Sequence, residues 1–276
     1  FDRLPTPYGL VRAGVAPDHA NIKAVAKRFD RVARDERLRF FGNVHVGTDV
    51  TPEQLRARYD AVIYATGAEV GSSLDIPGED LDGVVSAAGF VFWYNAHPDQ
   101  ASLRFDLTSV RRVAVLGNGN VAVDVARVLG RRVAELQTTD IAEHALAALR
   151  ESAITDVHMY GRRGPAQAAF SWQELRDLTR LDEVAVQVDP AALVLDDATK
   201  ATLDPEGVPV GVQKTLELLA EAVAERKIAK RTIHLRFFTS PVAFLGDADG
   251  RLRGMRLTRN QLVLDGDRLR AERVGE

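Results

Sequence analysis

Val113-Ala114-Val115-Leu116-Gly117-Asn118-Gly119-Asn120-Val121-Ala122-Val123-Asp124, with Gly161-Arg162-Arg163-Gly164 further along, decides how this chain is read. A β-branched strand runs into G-x-G-x-x-A and then into a helix. That arrangement lets backbone N–H groups at a helix N-terminus hold a pyrophosphate. A Gly-rich turn alone can be no more than a tight connection. Here a strand precedes it, nothing from Val121 to Leu129 breaks a helix, and small Ala122 permits close helix-to-strand packing. The second strand, Thr155 to Tyr160, does not end in the Asp or Glu that accepts from a ribose 2′-OH. It ends in two arginines, which suit a 2′-phosphate, so the expected dinucleotide is NADP(H). The stretch from Arg131 to Arg150 reads as helical and lengthens the crossover between the two strands.

Composition sets the frame around that motif. At 276 residues and 46% hydrophobic, the chain has material for a large core and for one or two domains. It contains no cysteine, which excludes disulfides, thiolate metal sites and a redox-active C-x-x-C. Any electron transfer therefore needs a bound organic cofactor. A formal charge of −3 gives no global argument for nucleic acid. No apolar run is long enough to span a bilayer and no signal peptide is evident, so the simplest location is cytoplasmic. The histidines at 19, 45, 97, 144, 158 and 234 show no paired-ligand spacing, so no metal site is expected.

Along the chain, Phe1-Asp2 reads as the end of a strand, and residues 3 to 20, rich in proline and glycine, as a long loop. Long loops in compact domains are usually functional. Apolar spacing predicts a surface helix over Asn21 to Asp35, strands over Phe40 to Val46 and Tyr59 to Gly67, and another strand over Val184 to Val194. The Tyr59 to Gly67 run ends in Ala-Thr-Gly. It reads either as the crossing between the domains of a two-dinucleotide flavoprotein or as a plain buried strand. A helix is expected from Val212 to Arg226, antiparallel strands at His234 to Thr239 and Gly254 to Arg259, and a final hairpin from Gln261 to Leu264 and Asp267 to Glu272. Both ends look like those of a fragment.

Leu4-Pro-Thr-Pro-Tyr-Gly-Leu-Val-Arg-Ala-Gly-Val-Ala-Pro-Asp-His19, Gly117-Asn-Gly-Asn-Val-Ala122 and Gly161-Arg-Arg-Gly-Pro165, with Ala169-Phe170 and Glu174-Leu-Arg176, closely resemble the adrenodoxin-reductase-like ferredoxin–NADP reductases, the bacterial branch above all. The resemblance runs from Phe1 to roughly Leu264. It implies an α/β fold of two nested dinucleotide-binding domains of the Rossmann-like, glutathione-reductase type. The NADP domain, residues 69–276, would be inserted in a partial FAD domain, residues 1–68. It also implies hydride transfer from NADPH to FAD and single-electron transfer onward to a ferredoxin-like iron–sulfur protein.

Residue by residue, the resemblance assigns Asp2 to the FAD ribose and the loop carrying Leu10, together with Val44, to the neighbourhood of the flavin. Gly117, Asn118, Gly119, Asn120 and Val121 fall in the NADP pyrophosphate loop, Arg162 and Arg163 at the 2′-phosphate, and Glu174 at the NADP. His19 matches the active-site histidine, with Asp177 in the place of its acidic partner. An acidic iron–sulfur partner calls for a basic docking face, for which Arg176, Arg180, Arg226, Lys227, Lys230 and Arg231 are candidates. The same residue types also serve as plain loop and solvated helix positions. The alternatives kept open are another NADPH-dependent flavoprotein electron-input subunit and an NADPH-binding module without redox activity.

Overall fold

A computed structural model describes residues 1–67, 71, 73–203, 207–225, 227–266 and 268–275. In chain order the helices are α1 (Gly9–Ala13), α2 (Ala20–Lys23), α3 (Ala26–Ala33), α4 (Pro52–Arg56), α5 (Ala87–Tyr94), α6 (Asn120–Gly130), α7 (Val133–Leu136), α8 (Glu143–Arg150), α9 (Trp172–Thr179), α10 (Asp197–Thr202) and α11 (Val210–Glu225). The strands are β1 (Arg112–Leu116), β2 (Asp156–Tyr160), β3 (Val184–Val188), β4 (Arg231–Arg236), β5 (Thr239–Gly246), β6 (Leu252–Asp265) and β7 (Arg268–Gly275).

The strand–turn–helix at 112–130 forms as its sequence dictates. Gly117 adopts φ +134°, a conformation that side chains other than glycine rarely tolerate, and this turns β1 out of the sheet. Gly119 then enters α6 in an extended conformation. β1 and β2 lie parallel and adjacent, and α7 and α8 fill the crossover between them, as the helical reading of 131–150 expects. All four strands of this sheet are parallel, in the order β1-β2-β4-β3, so β4 slots between its two predecessors.

Val115, Val157, Met159, Val184, Val186, Ile233 and Leu235 turn one face of the sheet into the core, where Trp93, Val123, Leu149, Leu175 and Leu219 meet them from α5, α6, α8, α9 and α11. Each such side chain contributes about 1.5–3 kcal/mol by leaving water. The opposite face carries polar side chains, among them Asp156, His158 and His234. Strands β5, β6 and β7 form a separate antiparallel sheet, which contains the expected final hairpin.

Several expectations need correction. The His234 segment belongs to β4 in the parallel sheet. Phe238, at φ +53°, swings the chain out of that sheet, and antiparallel pairing starts only at Thr239. The strand expected over Val184 to Val194 stops at Val188, because Asp189 accepts from the Ala191 N–H and Pro190 offers none; a 3-10 turn over Pro190–Leu193 follows. Asn21 to Asp35 is two short helices: Val25 N–H to Ile22 O and Lys27 N–H to Ala24 O close three-residue turns that interrupt the α pattern. The loop over 3 to 20 includes α1.

Phe1-Asp2 and Phe40 to Val46 are not strands. They share backbone bonds (Asp2 N–H to Phe41 O at 2.9 Å, Val44 N–H to Asp2 O at 2.9 Å), but Asn43 at φ +56° breaks the pleat. The Tyr59 to Gly67 run lies on the surface, with Ile63 89% exposed. A buried parallel strand needs a partner along its edge, and none of the described residues pairs with this run. Among the described residues, no helix is long and apolar enough to cross a membrane.

Candidate functional site

The C-terminal ends of β1, β2 and β4 are laced together. Gly117 N–H donates to Tyr160 O at 2.9 Å, and Gly161 N–H to Arg236 O at 2.8 Å. A Cβ on Gly161 would come within 2.6 Å of Asn118 Nδ2, so glycine is what lets the two turns approach. Gly119 is different. Its φ of −98° suits any residue, and a Cβ there would meet nothing nearer than Ala169 Cβ at 3.9 Å. Neither backbone nor packing demands glycine, which leaves the space above it for a ligand.

Gly119 also offers no side chain to cap α6, so the N–H groups of Asn120, Val121 and Ala122 point out of the first turn without an intrahelical partner. Asn120 Oδ1 accepts from Ser171 N–H, Asn118 O accepts from Ala169 N–H and Phe170 N–H, and the Asn118 side-chain amide nitrogen is buried without a partner. These donors, with the space at Gly119, fit a dinucleotide pyrophosphate.

Arg162 and Arg163 follow directly. Their backbone is fastened from the antiparallel sheet side: Asn260 Nδ2 donates to Arg162 O at 2.9 Å and Phe238 N–H to Arg163 O at 3.1 Å. Asn260 is buried and also donates to Ser240 Oγ. The main chain is held, with Arg162 exposed and Arg163 half-buried, and two guanidiniums side by side suit an anion.

Beside this loop lies a buried charge network. Arg127 is 1% exposed. Its Nε and Nη2 grip Asp18 at 2.6 and 3.1 Å, Nη2 also donates to Asp124 Oδ1 at 2.6 Å, and Nη1 donates to Glu174 Oε2 at 2.9 Å. His19 Nε2 lies 3.0 Å from Asp124 Oδ1 and 3.3 Å from Glu174 Oε2, and Arg127 Nη2 touches the same ring nitrogen. Arg131 reaches Asp18 from outside at 3.5 Å. Three carboxylates thus face two guanidiniums and the His19 imidazole. The Asp124 hydrogen bond raises the His19 pKa above its ordinary 6.5, against burial and the Arg127 charge. Burial pushes Asp18 upward, and its bonds to Arg127 more than reverse that, leaving it below the usual carboxylate range. The His19 loop is anchored by Asn95 Nδ2, which donates to Ala13 O and Val15 O, and by Lys23, which bridges Asn95 and Asp140.

Of the residues singled out in the sequence, His19 and Glu174 are brought together, and Gly117 to Val121 sits beside the Arg162–Arg163 turn. Asp177 is not at His19. Its carboxylate is taken by its neighbour Arg176 at 3.0 Å and stands half exposed, because α9 turns Glu174, one helical turn earlier, toward the histidine. Asp124 occupies the place expected of Asp177.

Asp2 Oδ1 accepts from Leu4 N–H, Asp2 O accepts from Val44 N–H, and Leu10 is exposed. An open groove of about 770 Å³ nearby is lined by Phe1, Phe41 and Tyr59. Among the basic candidates, Arg231 is committed elsewhere: half buried, it donates to the carbonyls of Ile154, Gly130 and Arg131 and so finishes the C-terminus of α6. Lys227 donates to Leu181 O, and Lys230 pairs with Glu183. Arg180 lines a cleft with Glu221 and Glu225. Arg226 lies outside the described residues. Asp18, Asp124, Arg127 and Asn260 escaped the sequence reading. A signal for two of them was present, since Asp124 and Arg127 are the only charges in an otherwise apolar helix.

The chain is similar to several known proteins. The family model described as pyridine nucleotide-disulphide oxidoreductase matches residues 6–160. The NADPH-ferredoxin reductase FprA of Mycobacterium tuberculosis is 48% identical over 280 residues, covering 100% of this chain and 59% of that protein. The mitochondrial NADPH:adrenodoxin oxidoreductase of Arabidopsis thaliana is 43% identical over 269 residues, covering 95% of this chain and 55% of that protein. The solved structure of Mycobacterium tuberculosis FprA in complex with NADPH superposes with a TM-score of 0.92 at 46% identity, covering 100% of this chain and 60% of that one. The chain therefore spans under two thirds of the length of these relatives, and its α/β, Rossmann-like fold is theirs.

Replacing Arg127 by Met removes the hub and leaves Asp18, Asp124 and Glu174 facing one another. The expected loss is about 3–5 kcal/mol in urea unfolding near pH 7. Asp18 titrates below its ordinary 3.8 when folded, so its stabilising share is present above that pH and lost as pH falls; the gap between Arg127→Met and wild type should narrow in acid. His19 works in the opposite direction. Its raised pKa contributes stability in full below 6.5 that is lost as pH rises through the folded value, so His19→Ala should be most destabilising in mild acid. Chemical denaturation from pH 5 to 9 reads this; a flat difference would mean that His19 does not titrate with the network.

Proposed function

The chain belongs to the pyridine nucleotide-disulphide oxidoreductase family, and from that premise we propose that it is part of an NADPH-dependent flavoprotein reductase delivering electrons to a ferredoxin-like iron–sulfur protein. One observation carries the reading furthest. An uncapped helix N-terminus, with a glycine that the fold does not itself require, adjoins two arginines whose backbone carbonyls are held, Arg162 exposed and Arg163 half-buried. In this reading Gly117, Asn118, Gly119, Asn120 and Val121 cradle the pyrophosphate, Arg162 and Arg163 clamp the 2′-phosphate, and Glu174 contacts the NADP. Residues 1–68 form part of an FAD unit, where Asp2, Leu10 and Val44 border the cofactor, and residues 69–276 form the NADP unit. The boundary at 68–69 falls outside the described residues.

When bound, NADPH supplies a hydride and FAD the means of splitting it into single electrons. The protein's own part is to orient and to balance charge. Arg127 fixes Asp124 and Glu174, and those carboxylates hold His19, whose proton answers the negative charge beside it. No cysteine is present in these residues to relay electrons through a dithiol. Arg176, Arg180, Lys227 and Lys230 remain the proposed basic docking positions. Arg176 and Lys214 flank the Trp172 ring, at 5.4 and 5.3 Å, and add to that patch. A cytoplasmic location belongs to the same proposal.

The double replacement Arg162→Ala with Arg163→Ala should weaken NADPH binding about 100-fold or more while leaving NADH binding nearly unchanged, as expected for loss of charge-assisted bonds to one phosphate. Equal losses for both coenzymes in a fluorescence titration would remove the pair from the 2′-phosphate. Flavin retention separates a reductase from a bare NADPH-binding module. After refolding with excess FAD and desalting, near-stoichiometric visible absorbance supports the reductase reading for this chain; NADPH binding without flavin supports the module.

A further inference from the structure

Two groups of three metal-capable side chains occur among the described residues. One is His19, Asp124 and Glu174, where Arg127 bonds both carboxylates and touches the imidazole; a guanidinium already fills the place of a cation. The other is Asp156, His158 and His234 on the polar face of the parallel sheet. Among the described residues, no lysine or arginine is hydrogen-bonded to any of these three. Arg112, in register with Asp156, and Arg236, two residues past His234, share the face and are exposed.

We propose that Asp156, His158 and His234 form a binding site for a divalent transition-metal ion of the Zn²⁺ type, tying β2 to β4. The register pairs His158 directly with His234 across parallel strands, and their rings lie 4.2 Å apart at an interplanar angle of 7°. His234 Nε2 sits 2.7 Å from Asp156 Oδ1, and one ligand atom from each of the three residues lies within 4.8 Å of the others. Ligands about 2.0–2.2 Å from a tetrahedral Zn²⁺ stand roughly 3.4 Å apart, so the stacked imidazoles must turn to bring donor atoms now within 4.8 Å onto one ion. Two imidazoles and a carboxylate are a donor set that Zn²⁺ accepts, with water in the fourth position.

Two details favour an ion over a plain ion pair. Asp156 Oδ2 accepts from Thr155 Oγ1 at 2.7 Å, the kind of outer bond that orients a ligating carboxylate. The Nδ1 of His158 is buried and has no hydrogen-bond partner, and stacking against His234 gives it none. A histidine–aspartate pair alone accounts for His234 but leaves His158 unexplained. Spacing along the chain could not show this site, because His158 and His234 meet only through the insertion of β4 beside β2.

The test is calorimetric titration of the metal-free 276-residue chain with Zn²⁺ alone. The expected result is saturable binding of about one equivalent, with the affinity cut at least about tenfold in His158→Ala, in His234→Ala and in the near-isosteric Asp156→Asn, and unchanged in the exposed control His45→Ala. Far-UV circular dichroism establishes that each variant is folded. Co²⁺ in place of Zn²⁺ should give visible ligand-field absorption that disappears with the same three variants. No saturable binding to wild type, or binding that persists when both His158 and His234 are alanine, would overturn the proposal.

Discussion

Arg127 carries a permanent charge into the interior of α6, and four neighbours from three separate segments converge to hold it: Asp18 and His19 from the N-terminal loop, Asp124 from its own helix, and Glu174 from α9. Removing such a charge from water costs several kcal/mol, and only near-complete hydrogen bonding offsets the cost. The guanidinium's planar fork supplies that bonding by gripping Asp18 with two nitrogens and reaching the other two carboxylates with what remains. Because these partners come from three separate segments, the network ties the N-terminal loop, α6 and α9 together. Residues 1–67 contribute few buried apolar side chains of their own, so the network and the Asn95 bonds define where their His19 loop sits.

How far the sequence could be read depended on whether a feature was settled locally. The β1–α6 turn was legible because Gly117 and the apolar helix after it fix their geometry within a dozen residues. The helical readings of 131–150 and of Val212 to Arg226 also found helices there, α7, α8 and α11. Tyr59 to Gly67 misled because β-branched and aromatic composition says that a run could be a strand, whereas being one requires a neighbour on its edge. His234 was assigned to the wrong sheet for a related reason. The change of direction rests on a single positive φ at Phe238, a residue type that does not announce it.

The candidate site divides along the same line. The glycine loop from Gly117 to Val121 and the turn carrying the arginine pair lie side by side, Gly161 abutting Asn118, and both stand out locally in the sequence. The surroundings of His19 are made by tertiary contact. Asp177 was placed by resemblance of position, yet Glu174, on the same side of α9 but one turn away along its axis, is the carboxylate that reaches the imidazole, and Asp177 pairs with Arg176 instead. Arg231 looked like a surface charge in a basic run, and it proves to be a terminus for α6. Charge clusters in sequence say how many ions there are; the fold decides which of them are already spent on carbonyls.

The bond from Asn260 to the Arg162 carbonyl carries an implication for how such a protein changes over time. The arginine turn takes its shape from β6, a strand that forms no part of the parallel sheet. Under the 2′-phosphate role proposed for the Arg162–Arg163 turn, coenzyme preference is a property with two addresses. Substitutions in a distant antiparallel hairpin can tilt the turn and retune discrimination between phosphorylated and unphosphorylated ribose, while every residue that touches the coenzyme stays the same.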